Sequence, residues 1–142
     1  MSELADFEIV TLEAKCAACG HTFDHPSFGQ QMYGHMLFCA ENGKFYAHFD
    51  ANGAVAALVT VVLPDVVAPQ VYQAVLAHLA DPIFGQKLTP GIRCPSCRSD
   101  KLAYWGGRDT GTIWVKPATH RALLALSRNE LVETIRNAAR GV

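Results

Sequence analysis

The sequence predicts an α+β fold in which residues far apart in the chain are brought together. Three observations carry this. Two Cys-x-x-Cys pairs, Cys16-Ala-Ala-Cys19 and Cys94-Pro-Ser-Cys97, are separated by 74 residues, 20 to 93. Strand-like alternation precedes the first pair and follows the second. Helical spacing of apolar residues recurs in the middle of the chain and near its C-terminus.

In chain order, Glu8 to Lys15 alternates polar and apolar residues and runs into Cys16 as a strand. His21-Thr-Phe23 is the returning strand. Residues 24 to 34 carry Pro26, Gly29 and Gly34 and predict a loop. Met36 to Phe38 is a short apolar patch. Glu41-Asn-Gly43 marks a turn, and Lys44 to Asp50 a strand rich in Phe and Tyr. After the turn at Asp50-Ala-Asn-Gly53, the apolar run Ala54 to Leu63 predicts a further strand closed by Pro64-Asp65, completing a meander.

Gln70 to Leu79 places Val71, Val75, Leu76 and Leu79 on one helical face, and Asp81-Pro82 ends that helix. Residues 83 to 92 form a connector. Lys101 to Trp105 and Thr112 to Lys116 read as an antiparallel strand pair turned at Gly106-Gly107. Pro117 suits a helix start. Ser127-Arg-Asn-Glu130 has the form of a capping box for a helix that buries Leu131, Ile135 and Ala138. The whole chain, 1–142, is expected to be a single domain.

Four thiols in two pairs suit a tetrahedral metal, with metal–sulfur bonds of about 2.3 Å. A Cys-x-x-Cys pair closes a tight turn, or knuckle, that aims both sulfurs at one ion. Pro95 presets the second turn, and Gly20 permits a left-handed residue after the first. On Cys16, Cys19, Gly20, Cys94, Pro95 and Cys97 the chain resembles the zinc-ribbon group. The resemblance covers residues 9–23 and 92–116. It implies a structural Zn²⁺ held by Cys16, Cys19, Cys94 and Cys97, in a ribbon split by the insertion 24–91 (a β-meander and one helix) and followed by a C-terminal helical part, 117–142. The cysteine motifs are also similar to those of bacterial CpXC-type proteins, a likeness from which no function is carried over. Arg98 stands where the second knuckle favours glycine. A local alternative uses Cys16, Cys19, His35 and Cys39 as ligands and leaves Cys94 and Cys97 over.

Other chemistry has weaker support. Cys39, between Phe38 and Ala40, reads as a small core residue rather than a nucleophile. His21, His25, His35 and His48 cluster in the N-terminal third, as scattered histidines or as a second metal site. A redox dithiol wants a helix N-terminus, which neither cysteine pair precedes. Gly106-Gly107 lacks the Lys and helix of a phosphate-binding loop.

Half of the chain is hydrophobic and the net charge is −1, but residues 93–142 carry nine Lys/Arg against four acids, and residues 1–92 three against nine. With Trp105 and Trp114 on the proposed strand pair, this allows a nucleic-acid-binding surface. The alternative is that the two halves complement each other while Trp114 and Tyr104 pack under the C-terminal helices. No apolar run reaches membrane-span length, and Met1 to Asp6 lacks a basic signal-peptide start. A cytoplasmic zinc-binding module with a protein partner or self-association is therefore expected, with nucleic acid as the alternative partner.

Overall fold

The computed structural model describes residues 7–27, 35–63 and 67–141. It is α+β, with a seven-stranded mixed sheet and helices. The elements are β1 (Phe7–Cys16), β2 (Thr22–Pro26), β3 (His35–Ala40), β4 (Tyr46–Asp50), α1 (Ala54–Val62), α2 (Pro69–Leu79), β5 (Leu88–Pro90), β6 (Leu102–Tyr104), β7 (Asp109–Pro117), α3 (Arg121–Leu124) and α4 (Arg128–Arg140). The sheet order is β2-β1-β7-β4-β3-β5, with β6 also on β1.

Two antiparallel halves meet at a narrow parallel seam, where Ala47 pairs with Lys116 and His48 with Pro117. The β5-β3-β4 half carries the main core. Phe38, Ala47 and Phe49 pack against Ala56, Val59, Leu76 and Ile135 from the helices. The capping box of α4 is present in both directions, and its buried residues are Leu131, Ile135 and Ala138. Helix α2 buries Val75, Leu76 and Ala77.

Several expectations are corrected. Ala54 to Leu63 is not a strand but helix α1 and its cap. Five β-branched residues favoured extension, yet Ala56, Val59 and Leu63 recur at i, i+3 and i+7 and fit the core, while Val61 is 82% exposed. Tertiary burial overrides intrinsic preference here. The turn before it survives in part: the Asn52 amide donates to Asp50 Oδ1, and Gly53 is the helix N-cap. The turn at 41–43 is present, with Gly43 at φ +74°. Residues 24 to 26 belong to β2, and residues 28–34 and Pro64-Asp65 lie outside the described residues. The connector contributes a strand, β5, which pairs with β3.

β6 and β7 are not partners of each other. Both pair antiparallel with β1, in line along it, so Trp105 to Arg108 form a jog in one interrupted strand. The Gly107 amide donates to the Glu13 carbonyl, and the Glu13 amide to that of Arg108. Pro117 ends β7 rather than opening a helix. Trp114 and Tyr104 do not pack under the helices; Trp114 on β7 is 68% exposed and Tyr104 on β6 is exposed as well.

Two buried histidines are held neutral. His120 lies between Phe49 and α2, with Nε2 on the Leu76 carbonyl at 2.7 Å. Burial lowers its pKa, against the raising effects of that carbonyl and of Asp81. His25 is lowered for the same reason, against Pro26 and Asp24, and its Nε2 accepts from the Gly106 amide. The unfolded chain takes up these protons near pH 6.5, whereas the folded chain takes them up only at lower pH. Stability should therefore fall as pH drops below about 6.5. Thermal melts from pH 7.5 to 5 on His120→Gln, which keeps a donor for Leu76, should show a shallower acid decline than wild type. Parallel profiles would refute this assignment.

Candidate metal centre

β1 delivers Cys16 to the end of the sheet half that carries β2 and β6. The turn that follows holds Cys19, and the segment leading into β6 holds Cys94 and Cys97. The four Sγ atoms all lie within 4.8 Å of one another. Across the knuckles, Cys16 and Cys97 sulfurs are 3.5 Å apart and those of Cys19 and Cys94 3.6 Å. A tetrahedral ion with sulfur bonds of about 2.3 Å sets its ligands about 3.8 Å apart. The cluster therefore fits a single four-coordinate ion, and all five cysteines of the chain are free of disulfides.

The two turns repeat one hydrogen-bond plan. The Cys16 amide donates to the His21 carbonyl and the Gly20 amide to that of Cys16; the Cys94 amide donates to Ser99 and the Arg98 amide to Cys94. The Ser96 amide also donates to Cys94 Sγ at 3.4 Å. The fourth residue after each first cysteine is left-handed, Gly20 at φ +77° and Arg98 at φ +66°. Arg98 thus adopts the glycine conformation at a cost of about 1–2 kcal/mol, which the repeated geometry of the turn sustains.

Burial alternates. Cys16 and Cys94 are enclosed with Ala14 and Phe23 and flanked by Ile92 and Leu102, whereas Cys19 and Cys97 are exposed. Taken as thiols, Cys16 and Cys97 do not ionise alike. The Cys19 amide, opposed by burial and helped by Cys97 and the Ala18 amide, lowers Cys16 to about 7. The Ser99 amide lowers Cys97, but the neighbouring sulfurs and burial outweigh it and push it up to about 12. One thiolate forms readily and a further one is resisted, because negative charge accumulates in one place. A bound cation removes that resistance.

Comparison with known proteins returned no matching family model, curated protein or solved structure.

The local alternative is not assembled. Among the described residues, the four cysteines form the metal-competent group, with no second one. Cys39 is fully buried with Ile9, Tyr46 and Val115, and its Sγ donates to the Ala40 carbonyl. Burial pushes its thiol up to about 11, against the lowering effect of Arg93, which suits a packed residue and not a nucleophile. His21, His25, His35 and His48 do not converge on a metal-competent group. Neither cysteine pair opens a helix, so the dipole that activates redox dithiols is missing from both.

Sequence reasoning placed Gly43 in a turn but missed what it touches. It lies in the β3–β4 turn, and a Cβ there would sit 2.7 Å from the Cys94 carbonyl oxygen and 2.8 Å from that of Arg93. The inserted hairpin is thus in backbone contact with the second knuckle. Asn42-Gly43 signalled the turn, but only the sheet order reveals what the turn touches.

Proposed function

We propose that this chain is a small zinc-binding protein in which Zn²⁺, held by Cys16, Cys19, Cys94 and Cys97, locks a split zinc ribbon, and that the folded surface serves as a protein-interaction module. The convergence of four sulfurs from the two distant pairs carries the metal reading. Four thiolates in a tetrahedral set suit zinc or an iron–sulfur centre. Sulfurs this close together suit a single ion rather than a multi-iron cluster, and we take that ion to be zinc. Four protein ligands leave no position for water, so the ion's role is structural.

The exposed face of β1 and β7 supports the interaction reading. Val10 and Trp114 are both open on neighbouring strands, and Trp105 projects at the jog, 68% exposed. Exposed tryptophans on a rigid sheet are typical anchors of protein interfaces. Local charge favours a protein over nucleic acid. Glu8 is the direct cross-strand partner of Trp114, and Arg108 is engaged by Glu13 at 3.2 Å. Lys116 lies over the Phe84 ring. Among the described residues no helix is long and apolar enough to cross a membrane.

Elemental analysis of protein purified without added metal tests the first part. One zinc per chain is expected, with four thiols becoming reactive on chelation and Cys39 still protected. Protein without metal, or a coloured iron protein, would overturn the zinc reading. Association measured across a salt series tests the second part. Binding that persists in high salt and is lost in Trp114→Ser supports a protein interface, whereas a steep loss with salt identifies nucleic acid.

A further inference from the structure

The last turns of α2 and α4 and strand β5 enclose a cleft of about 550 Å³, on the main-core side of the sheet and separate from the cysteine sulfurs. Its floor is apolar, formed by Leu79, Leu88 and Ala138, and its polar lining includes Arg93, His78 and Asn137. Among the described residues, none that lines the cleft is acidic.

Arg93 is the informative residue. It is half-buried, and its guanidinium is held from two sides: Nε donates to Thr89 Oγ1 at 3.1 Å and Nη1 to the Arg98 carbonyl at 3.1 Å. Both are neutral acceptors, and among the described residues no carboxylate pairs with this guanidinium. A half-buried guanidinium, fixed in orientation and turned to an apolar-floored cleft, is a preorganised receptor for a planar anion. The cleft volume is in the range of small-molecule sites.

We propose that this cleft binds a small organic monocarboxylate, with its carboxylate on Arg93 and its apolar body on Leu79, Leu88 and Ala138. The apolar floor selects against a bare inorganic anion, which would leave it wet. Because Arg93 also holds the Arg98 carbonyl, the ligand would rest against the second knuckle. None of the four cysteines lines the cleft.

The test is calorimetric titration of the full chain with sodium benzoate, and with benzamide and inorganic phosphate as controls. Benzoate is expected to bind saturably with a dissociation constant on the order of 1 mM, with benzamide and phosphate at least about tenfold weaker. Arg93→Gln should weaken benzoate about 10- to 100-fold. Because Arg93→Gln also removes a bond to the knuckle, Ala74→Phe serves as a second variant. It fills the cleft from α2 while keeping the Arg93 side chain, and should abolish binding while metal content and melting temperature stay near wild type. No saturable benzoate binding, equal binding of benzamide, phosphate binding as tight as benzoate, or full binding in a folded Ala74→Phe protein would each overturn the proposal.

Discussion

Cys94→Ser is expected to lose the metal and to destabilise the protein as much as Cys16→Ser does, because each removes one enclosed sulfur from a shared tetrahedron. Structural zinc in small peptides contributes roughly 10–16 kcal/mol of apparent binding energy. Here the core around Phe38, Leu76 and Ile135 is built without the cysteines, so the loss should be smaller, about 3–5 kcal/mol. That corresponds to a melting temperature lower by roughly 10–17 °C. Cys39→Ser provides the contrast. Its hydroxyl can still donate to the Ala40 carbonyl, as the thiol does, so it should keep its metal and lose only about 1–3 kcal/mol for burying a more polar atom. Atomic spectroscopy and thermal melts on the three variants decide the ligand set. Retained zinc in Cys94→Ser with zinc lost in Cys39→Ser would return the site to the local alternative.

Gly43→Ala should be the most damaging glycine-to-alanine change among the described residues. The residue has a left-handed backbone at φ +74°, and the added carbon would fall 2.7–2.8 Å from backbone atoms of Arg93 and Cys94. Those atoms cannot swing aside as a side chain would, because the Cys94 amide and carbonyl are both committed to the knuckle. Left-handed strain and overpacking together predict a loss of about 2–5 kcal/mol, accompanied by weaker metal retention. Gly20→Ala is the control. Gly20 has nearly the same φ, +77°, but open space around its Cβ position, so it should show the backbone strain alone. If Gly43→Ala is no worse than Gly20→Ala, the hairpin does not press on the knuckle.

What could be read from the sequence was what depends on local periodicity and spacing. β1, α2 and the capped helix α4 follow from alternation, from i, i+4 recurrence and from the Ser127/Glu130 box. The two cysteine pairs named their own convergence. Long-range choices were not legible. The run at α1 is apolar enough for either conformation, and which one wins depends on the helices and sheet face waiting to receive Ala56 and Val59. Gly106-Gly107 looks like a hairpin turn, but β1 offers an edge long enough to take β6 and β7 in line. Arg93 carried no motif at all. Its meaning comes from Thr89, Arg98 and the cleft, which only the folded chain brings together.

The position of β1 also bears on how the protein comes into being. This strand is flanked by β2, which follows it within a few residues, and by β7, which begins only at Asp109. At a synthesis rate of about 5–20 residues per second, the segment separating the first cysteine pair from the second takes roughly 4–15 s to emerge from the ribosome. Throughout that interval one edge of β1 is bare and two thiols stand without their partners. A nascent chain in this state is exposed to oxidants, to competing metals and to strand pairing with its neighbours on a polysome. The vulnerable form of this protein is thus a half-made one, in which the first cysteine pair waits for the second.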